Sequence, residues 1–227
     1  MKYYTIKYKI ERRDVGAYPQ CQKLAKGFSP SETDYIYNVF CGRAVVDADK
    51  YPHIFTCKYP VYRTTAKVRT TDFLSHVISN FPLCSLDAIQ LLSDFNLSGF
   101  KTYPCYIEHK GELLEYYLLI PEFNFSKYLI WSKCVFTIDD TGEVFKGVNS
   151  KQDWIDISSK LFYNGHLYLS IKKIYLNKDF PLEQDLFFLK DVDSYYYYFS
   201  ESLKDALINS HLSGFEFSKC IEVCIDE

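Results

Sequence analysis

The sequence predicts a β-rich α+β fold, a single domain that contains two pseudo-repeated strand–helix–strand units. Short segments that alternate apolar and polar residues recur along the chain and are typical of strands. Apolar residues at helical spacing are confined to a few segments. One pattern, a serine followed by a helical segment and Leu-Ser-Gly-Phe, occurs twice in the 227 residues. No linker rich in Pro, Gly or Ser divides the chain, so we expect one compact unit over residues 1–227.

The two repeated units cover residues 85–105 and 200–220, and a shift of 115 residues superimposes Ser85 on Ser200. Each serine is a predicted N-cap, because its hydroxyl can accept a hydrogen bond from a free N–H of the first helical turn. The predicted helices run from Leu86 to about Phe95 and from the residue after Ser200 to about Ser210.

The helix exits of the two units are also predicted to match. Asn96 and His211 follow the helices and are predicted left-handed residues. The glycine of each Leu-Ser-Gly-Phe permits a positive φ or a close backbone approach. The phenylalanine then opens a strand and is predicted to point into the core. Because His211 aligns with Asn96, we interpret it as structural rather than catalytic.

Strands dominate the remainder of the prediction. Residues 1–70 form a mostly extended N-terminal part, and residues 72–227 contain the two units, with one helix predicted around Asp72–Ser79. Asp-Asp-Thr-Gly at residues 139–142 indicates a hairpin. The predicted strands, found by alternation and by flanking turn residues, are Tyr3–Ile10, Tyr35–Phe40, Ile54–Tyr59, Tyr116–Ile120, Val135–Ile138, Glu143–Phe145, Leu167–Leu176, Phe187–Leu189 and Tyr195–Phe199.

Composition excludes several classes of partner. The net charge is −3, so no excess of cations is present to bind nucleic acid or an anionic membrane surface. No apolar run approaches the roughly 18 residues of a membrane span. Lys7 and Lys9 interrupt the first ten residues, which resemble a strand more than a signal peptide. We therefore expect a soluble cytoplasmic protein, with its eight irregularly spaced cysteines as free, mostly buried thiols.

No catalytic, cofactor-binding or metal-binding motif is recognisable. The sequence lacks a glycine-rich phosphate loop, a Gly-x-Ser-x-Gly elbow and a His-Glu-x-x-His pair. The five histidines are far apart in sequence, and no Cys-x-x-Cys occurs. We expect no enzyme activity and no cofactor, although groups that converge in space from distant positions remain an alternative.

Two acidic clusters are the candidate partner-binding residues. Asp139, Asp140 and Glu143 share the predicted hairpin, and Asp191 and Asp193 precede a run of tyrosines at 195–198. These carboxylates could form solvated turns, could act as acid–base pairs, or could complement a basic protein surface and speed encounter.

Aromatic residues are abundant, with 21 Tyr and 18 Phe. Tyrosine is favoured at protein interfaces because it offers a large area and one hydrogen bond. The alternative is the composition bias of an AT-rich genome. In the tyrosine run at 195–198, alternation predicts two rings in the core and two facing solvent or a partner.

The closing part of the chain resembles the bacterial immunity proteins of polymorphic toxin systems. The resemblance rests on Ile174–Leu176, Asp185–Phe187, Ser200–Ala206 and Leu212–Phe217. Further similarity is found at Ser85–Leu92, at Phe100–Pro104, at Ile130–Phe136 and at the start of the chain, where Tyr3-Tyr4 and Gly16–Gln20 fit the family pattern.

The resemblance implies a cytoplasmic antidote, usually encoded beside a toxin, that binds this toxin and blocks it by stoichiometric occlusion. It supplies no catalytic residues and does not identify the toxin. Two alternatives stay open, a small enzyme or ligand-binding domain and a structural subunit of a larger assembly. A deep pocket with convergent polar groups favours the enzyme, whereas an exposed aromatic or acidic patch favours the binding protein.

Overall fold

Alternating segments along the chain pair into two β-sheets. The computed structural model describes residues 1–24, 31, 34, 61–64, 67–75, 82–139, 141–192 and 196–226. The predicted strands Tyr35–Phe40 and Ile54–Tyr59, and the acidic residues Asp140 and Asp193, lie outside these residues. The fold is a β-rich α+β domain, as predicted.

The first sheet has seven strands in the described part of the chain, in the order β11-β12-β1-β13-β10-β8-β9. All neighbouring strands are antiparallel except β13 and β10, which are parallel. The strands are β1 (Lys2–Tyr8), β8 (Val135–Ile138), β9 (Val144–Phe145), β10 (Leu169–Leu176), β11 (Leu186–Phe188), β12 (Tyr197–Ser200) and β13 (Phe215–Ile225).

The second sheet has six described strands in the order β2-β3-β6-β7-β5-β4. Its long hairpin β6–β7 turns at Lys110 and Gly111, both with positive φ. The strands are β2 (Cys21–Leu24), β3 (Val61–Thr64), β4 (Phe73–Leu74), β5 (Leu83–Cys84), β6 (Phe100–His109) and β7 (Glu112–Pro121).

Four α-helices are described, together with a 3₁₀ helix at Phe125–Tyr128. They are α1 (Arg12–Val15), α2 (Leu86–Ser93), α3 (Lys151–Gly165) and α4 (Glu201–Asn209). No helix within the described ranges is long and apolar enough to cross a membrane.

The repeat extends over the sheets, beyond the two helices. Taken from β4, the five pairings of the second sheet repeat the first five pairings of the first sheet taken from β11: three antiparallel, one parallel and one antiparallel. The first sheet adds the antiparallel pair β8–β9. Strand β7 follows β6 directly in the chain, whereas its counterpart β1 comes from the N-terminus. The two units are therefore related by a circular permutation, and the first strand of the chain completes the sheet of the last unit.

Both predicted N-caps are confirmed. The hydroxyl of Ser85 accepts a hydrogen bond from the N–H of Ala88 at 3.2 Å, and that of Ser200 accepts one from Leu203 at 3.2 Å. Each serine hydroxyl also donates to an aspartate that precedes it in the chain. Ser85 donates to Asp72 at 2.8 Å, and Ser200 donates to Asp185 at 2.6 Å.

The aspartates join each unit to the other. Asp72 accepts hydrogen bonds from the N–H and hydroxyl of Ser213, both at 2.8 Å, in the second unit. Asp185 accepts one from Ser200 at 2.6 Å and one from the N–H of Asn96, in the first unit, at 2.9 Å. Each carboxylate thus links the helix start of its own unit to the turn of the other. We call this paired arrangement the junction.

The prediction that Asn96 and His211 are left-handed is wrong. Neither residue has a positive φ; the left-handed conformation falls on Gly99 (φ 86°) and Gly214 (φ 93°). The reason is visible at Asn96, whose side chain accepts a hydrogen bond from the N–H of Ser98 and whose own N–H binds Asp185. These bonds fix Asn96 without a positive φ, and the positive φ falls on Gly99 instead.

The helix predicted around Asp72–Ser79 is not present where this segment is described. Asp72 lies in a bend, and Phe73–Leu74 form β4, which pairs with β5. Tertiary contacts decide this outcome, because the Asp72 carboxylate belongs to the junction and Phe73 packs on Phe215 with ring centroids 4.9 Å apart. Residues 76–79 lie outside the described part.

Two cores cover opposite faces of the seven-stranded sheet. The first lies between the sheets and contains Leu92 of α2 and Leu207 of α4, and the second contains Trp154 of α3. Strand β12 runs between them, so Tyr197 belongs to the first core and Tyr198 to the second. The tyrosine run therefore contributes successive rings to the interior.

The described cysteines are free thiols, as expected. Cys21, Cys84 and Cys105 are buried together in the first core, whereas Cys220 is exposed. Burial raises the pKa of Cys21 to about 12. This thiol stays protonated at neutral pH and serves packing.

Candidate interaction surface

Helix α3 is not among the predicted elements, and it carries Tyr163, the most exposed large aromatic residue in the described part of the chain. Its N-cap is Ser150, whose hydroxyl accepts from the N–H of Asp153 at 3.1 Å. Trp154, Ile157 and Leu161 recur at helical spacing and face the second core. The signal that could have found it is Ser-x-x-Asp followed by this spacing.

Four rings gather at the C-terminal end of α3. Phe162 lies 5.7 Å from Tyr163, 5.4 Å from His166 and 5.7 Å from Tyr168, measured between ring centroids. Tyr163 is 81% exposed and Tyr168 is 57% exposed. We call these four residues the aromatic patch. Exposed clusters of large apolar side chains are typical of interaction sites.

The patch includes an unfavourable helix end. His166 occupies the left-handed position, with φ 53° and ψ 30°, and its N–H donates to the carbonyl of Phe162. This is the position that glycine favours at helix ends, and a residue with a Cβ costs about 1–2 kcal/mol there. The glycine of this segment, Gly165, instead lies one residue earlier, inside the helix.

The predicted acidic hairpin lies beside the aromatic patch. The N–H of Asp139 donates to the carbonyl of Tyr168 at 3.0 Å. Glu143 is exposed, and Val144 of the edge strand β9 is 49% exposed. Asp139 and Glu143 of this hairpin therefore flank the patch.

Asp191 is not part of this surface. It accepts a hydrogen bond from Asn124 at 2.8 Å and pairs with Lys151 at 2.7 Å, at the N-terminal end of α3. A helix of this length places that end roughly 20 Å from the patch. Asp191 links the 3₁₀ segment to α3, so the structure separates it from Asp139 and Glu143.

An open groove of about 360 Å³ runs between β9 and α3, next to the patch. Its lining is mainly apolar, with one lysine and one amide at the rim. The described lining residues are Phe145, Ile157, Lys160, Leu161, Asn164, Gly165 and Leu167.

A second depression, of about 390 Å³, is polar and lies over β8, β10 and β13. Within it, Ser170 and Lys219 both donate to the Asp139 carboxylate. Among the residues that the structure describes, no group of three or more His, Cys, Asp or Glu is placed to hold a metal ion. Compared with known proteins, the chain matches no protein-family model and no curated protein sequence.

Proposed function

We propose that the protein is a cytoplasmic immunity protein that binds a cognate bacterial toxin and neutralises it by stoichiometric occlusion. The observation that carries the proposal is the aromatic patch at the end of α3, on a surface whose neighbouring groove is open and mainly apolar. The resemblance of the closing part of the chain to immunity proteins supports it independently.

The geometry of the patch suits a protein partner. Phe162 contacts each of the other three rings, so the exposed tyrosines are held in place before binding. Preorganised aromatic side chains lose little conformational entropy on association, and interface cores are enriched in them.

The charges around the patch favour a basic partner surface. Glu143 is exposed on the adjoining hairpin. Asp139 is bonded through its N–H to the carbonyl of Tyr168, but its carboxylate already pairs with Lys219 at 3.3 Å, so Glu143 carries the argument. Acidic groups at the rim of an interface speed encounter with a basic surface and contribute less to the final affinity.

The test is co-expression with the product of the adjacent reading frame, followed by co-purification. We expect the wild-type protein to restore growth and to form a complex. The double variant Tyr163→Ala/Tyr168→Ala should weaken the complex by about 30-fold or more, as truncation of central aromatic residues does.

Leu113→Ala is the matched control, because Leu113 is 64% exposed at the tip of the β6–β7 hairpin, outside the patch. Cells that die as fast with this protein as without it, with no co-purified complex, would refute the proposal. Protection at amounts far below those of the toxin would instead indicate an enzyme, because occlusion requires one copy for each toxin.

A further inference from the structure

One wall of the groove beside the aromatic patch is formed by a glycine that neither its backbone conformation nor its neighbours require. Gly165 lines it at the last turn of α3. Its φ is not in the left-handed region, and an added Cβ would meet only Leu167, at 3.5 Å, an ordinary contact. Neither backbone conformation nor sterics therefore requires glycine here, although glycine in a helix costs roughly 0.5–1 kcal/mol relative to alanine.

Two adjacent residues thus depart from what helix stability favours. Gly165 leaves a gap where a side chain would fit, and His166 takes the left-handed position that glycine favours. Such local departures concentrate at functional sites, where the surrounding structure compensates for them. Both lie where the groove meets the aromatic patch.

The lining defines the chemistry of the occupant. Phe145, Ile157 and Leu161 form an apolar floor. A large aliphatic or aromatic side chain that enters the groove would therefore remove its apolar surface from water, which is favourable. Lys160 and Asn164 provide hydrogen-bond donors at the rim. None of the described lining residues is a carboxylate, and Lys160 makes no ion pair within the described ranges.

We propose that this groove receives a large apolar side chain of the toxin, from a segment whose neighbouring carboxylate binds Lys160 and Asn164. The inference rests on the proposed function and specifies the anchor of the same interface. The aromatic patch then covers the segment from one side, and Gly165 leaves the room that the anchor occupies.

The experiment measures toxin affinity by calorimetry for groove variants, with the toxin purified from the co-expressed complex. Gly165→Leu fills the groove at a position whose backbone accepts any residue. We expect its affinity to fall by about 30-fold or more, the range of lost anchor residues. Gly165→Ala, which adds one methyl group, should give a smaller loss.

The charge component is tested separately. Lys160→Glu should weaken binding by about 10-fold, whereas Lys178→Glu, an exposed lysine beyond the far end of β10, should not change it. Circular dichroism melting curves check that the variants stay folded; Gly165→Leu should melt no lower than the wild type, because leucine favours helix over glycine.

The outcomes separate the two proposals. If the wild type binds and Gly165→Leu binds equally well, the groove does not hold an anchor, and the proposed function is unaffected. If the affinity for the toxin falls equally for Lys160→Glu and Lys178→Glu, the proposed contact between a toxin carboxylate and Lys160 is refuted. If the wild-type protein forms no complex, the proposed function fails and the anchor fails with it.

Discussion

Gly214 is the position where the structure makes its sharpest prediction about stability. It lies in the junction, with φ 93°, and an alanine Cβ would lie 2.2 Å from the carbonyl oxygen of Phe73 and 2.5 Å from the hydroxyl of Thr71. Gly111 has nearly the same φ, 89°, in the β6–β7 turn, and a Cβ there would meet nothing within 4 Å. The two glycines share the conformational strain and differ in the clash.

The two glycines separate the free-energy cost of backbone strain from that of the steric clash. Strain in the left-handed region costs about 1–2 kcal/mol for a residue with a Cβ, so Gly111→Ala should lower the free energy of unfolding by that amount. In Gly214→Ala the junction must also move by about 1 Å to restore an ordinary contact. The hydrogen bonds from Ser213 to Asp72 and from Phe73 to Ser213 would be lost or weakened. At about 0.5–1.5 kcal/mol each, these two bonds add about 1–3 kcal/mol.

Urea unfolding followed by tryptophan fluorescence measures both variants. We expect Gly214→Ala to lose about 1–3 kcal/mol more than Gly111→Ala, with an unchanged dependence on urea. Equal losses for the two variants would refute the reasoning, because the junction would then tolerate displacement at no free-energy cost.

Further predictions concern the patch, the junction and the core. His166→Gly should raise the free energy of unfolding by about 1 kcal/mol in urea titrations while weakening toxin binding, since it relieves the left-handed strain and removes a ring of the patch. Asp185→Ala should lower stability by about 2–4 kcal/mol, because Ser200, Ser202 and the N–H of Asn96 lose a charged acceptor. The fold raises the pKa of Cys21 to about 12 by burial and that of Tyr3 to about 12, mainly by burial and also by the nearby Asp185. The contribution of these two protonated groups to the free energy of unfolding is therefore complete below their unfolded pKa values and is lost as the pH rises towards 12. The loss is up to about 1.4 kcal/mol per pH unit for each group, and urea midpoints measured between pH 7 and 11 will show it. In the native protein iodoacetamide should modify Cys220 well before the three thiols buried in the first core, as read by peptide mass spectrometry; those three are Cys21, Cys84 and Cys105.

The helix starts and the glycine turns of the two units could be predicted from the sequence, because they depend on local chemistry. Ser85 and Ser200 cap their helices through contacts three residues away, and alternation found most strands of the seven-stranded sheet within two residues of their ends. The helix exits failed as predictions because distant groups determine them. The N–H of Asn96 binds Asp185, a contact that a single sequence does not reveal.

The symmetry of the sheets was also beyond sequence reasoning. The 115-residue shift detects the helices and the strands after them, but β1 takes the place of β7 from the opposite end of the chain. A circular permutation breaks collinearity, so no constant shift can align those two strands.

The candidate site was predicted only in part. The acidic hairpin was identified, and the structure places Asp139 and Glu143 beside the aromatic patch. Asp191 belongs to the second predicted acidic cluster, and it pairs with Lys151 at the other end of α3, a position that charge patterns alone do not give. Helix α3 was not predicted, although the sequence contains its N-cap, Ser150, and the helical spacing of its apolar residues Trp154, Ile157 and Leu161.

Hydrogen–deuterium exchange on the purified toxin complex tests the central claim most directly. We expect protection on binding to concentrate in peptides that cover residues 141–168, which include the β8–β9 turn, the groove and the aromatic patch. Peptides from the β6–β7 hairpin should exchange at the same rate in the free and the bound protein. Protection of that hairpin, with unchanged exchange over residues 141–168, would contradict the account.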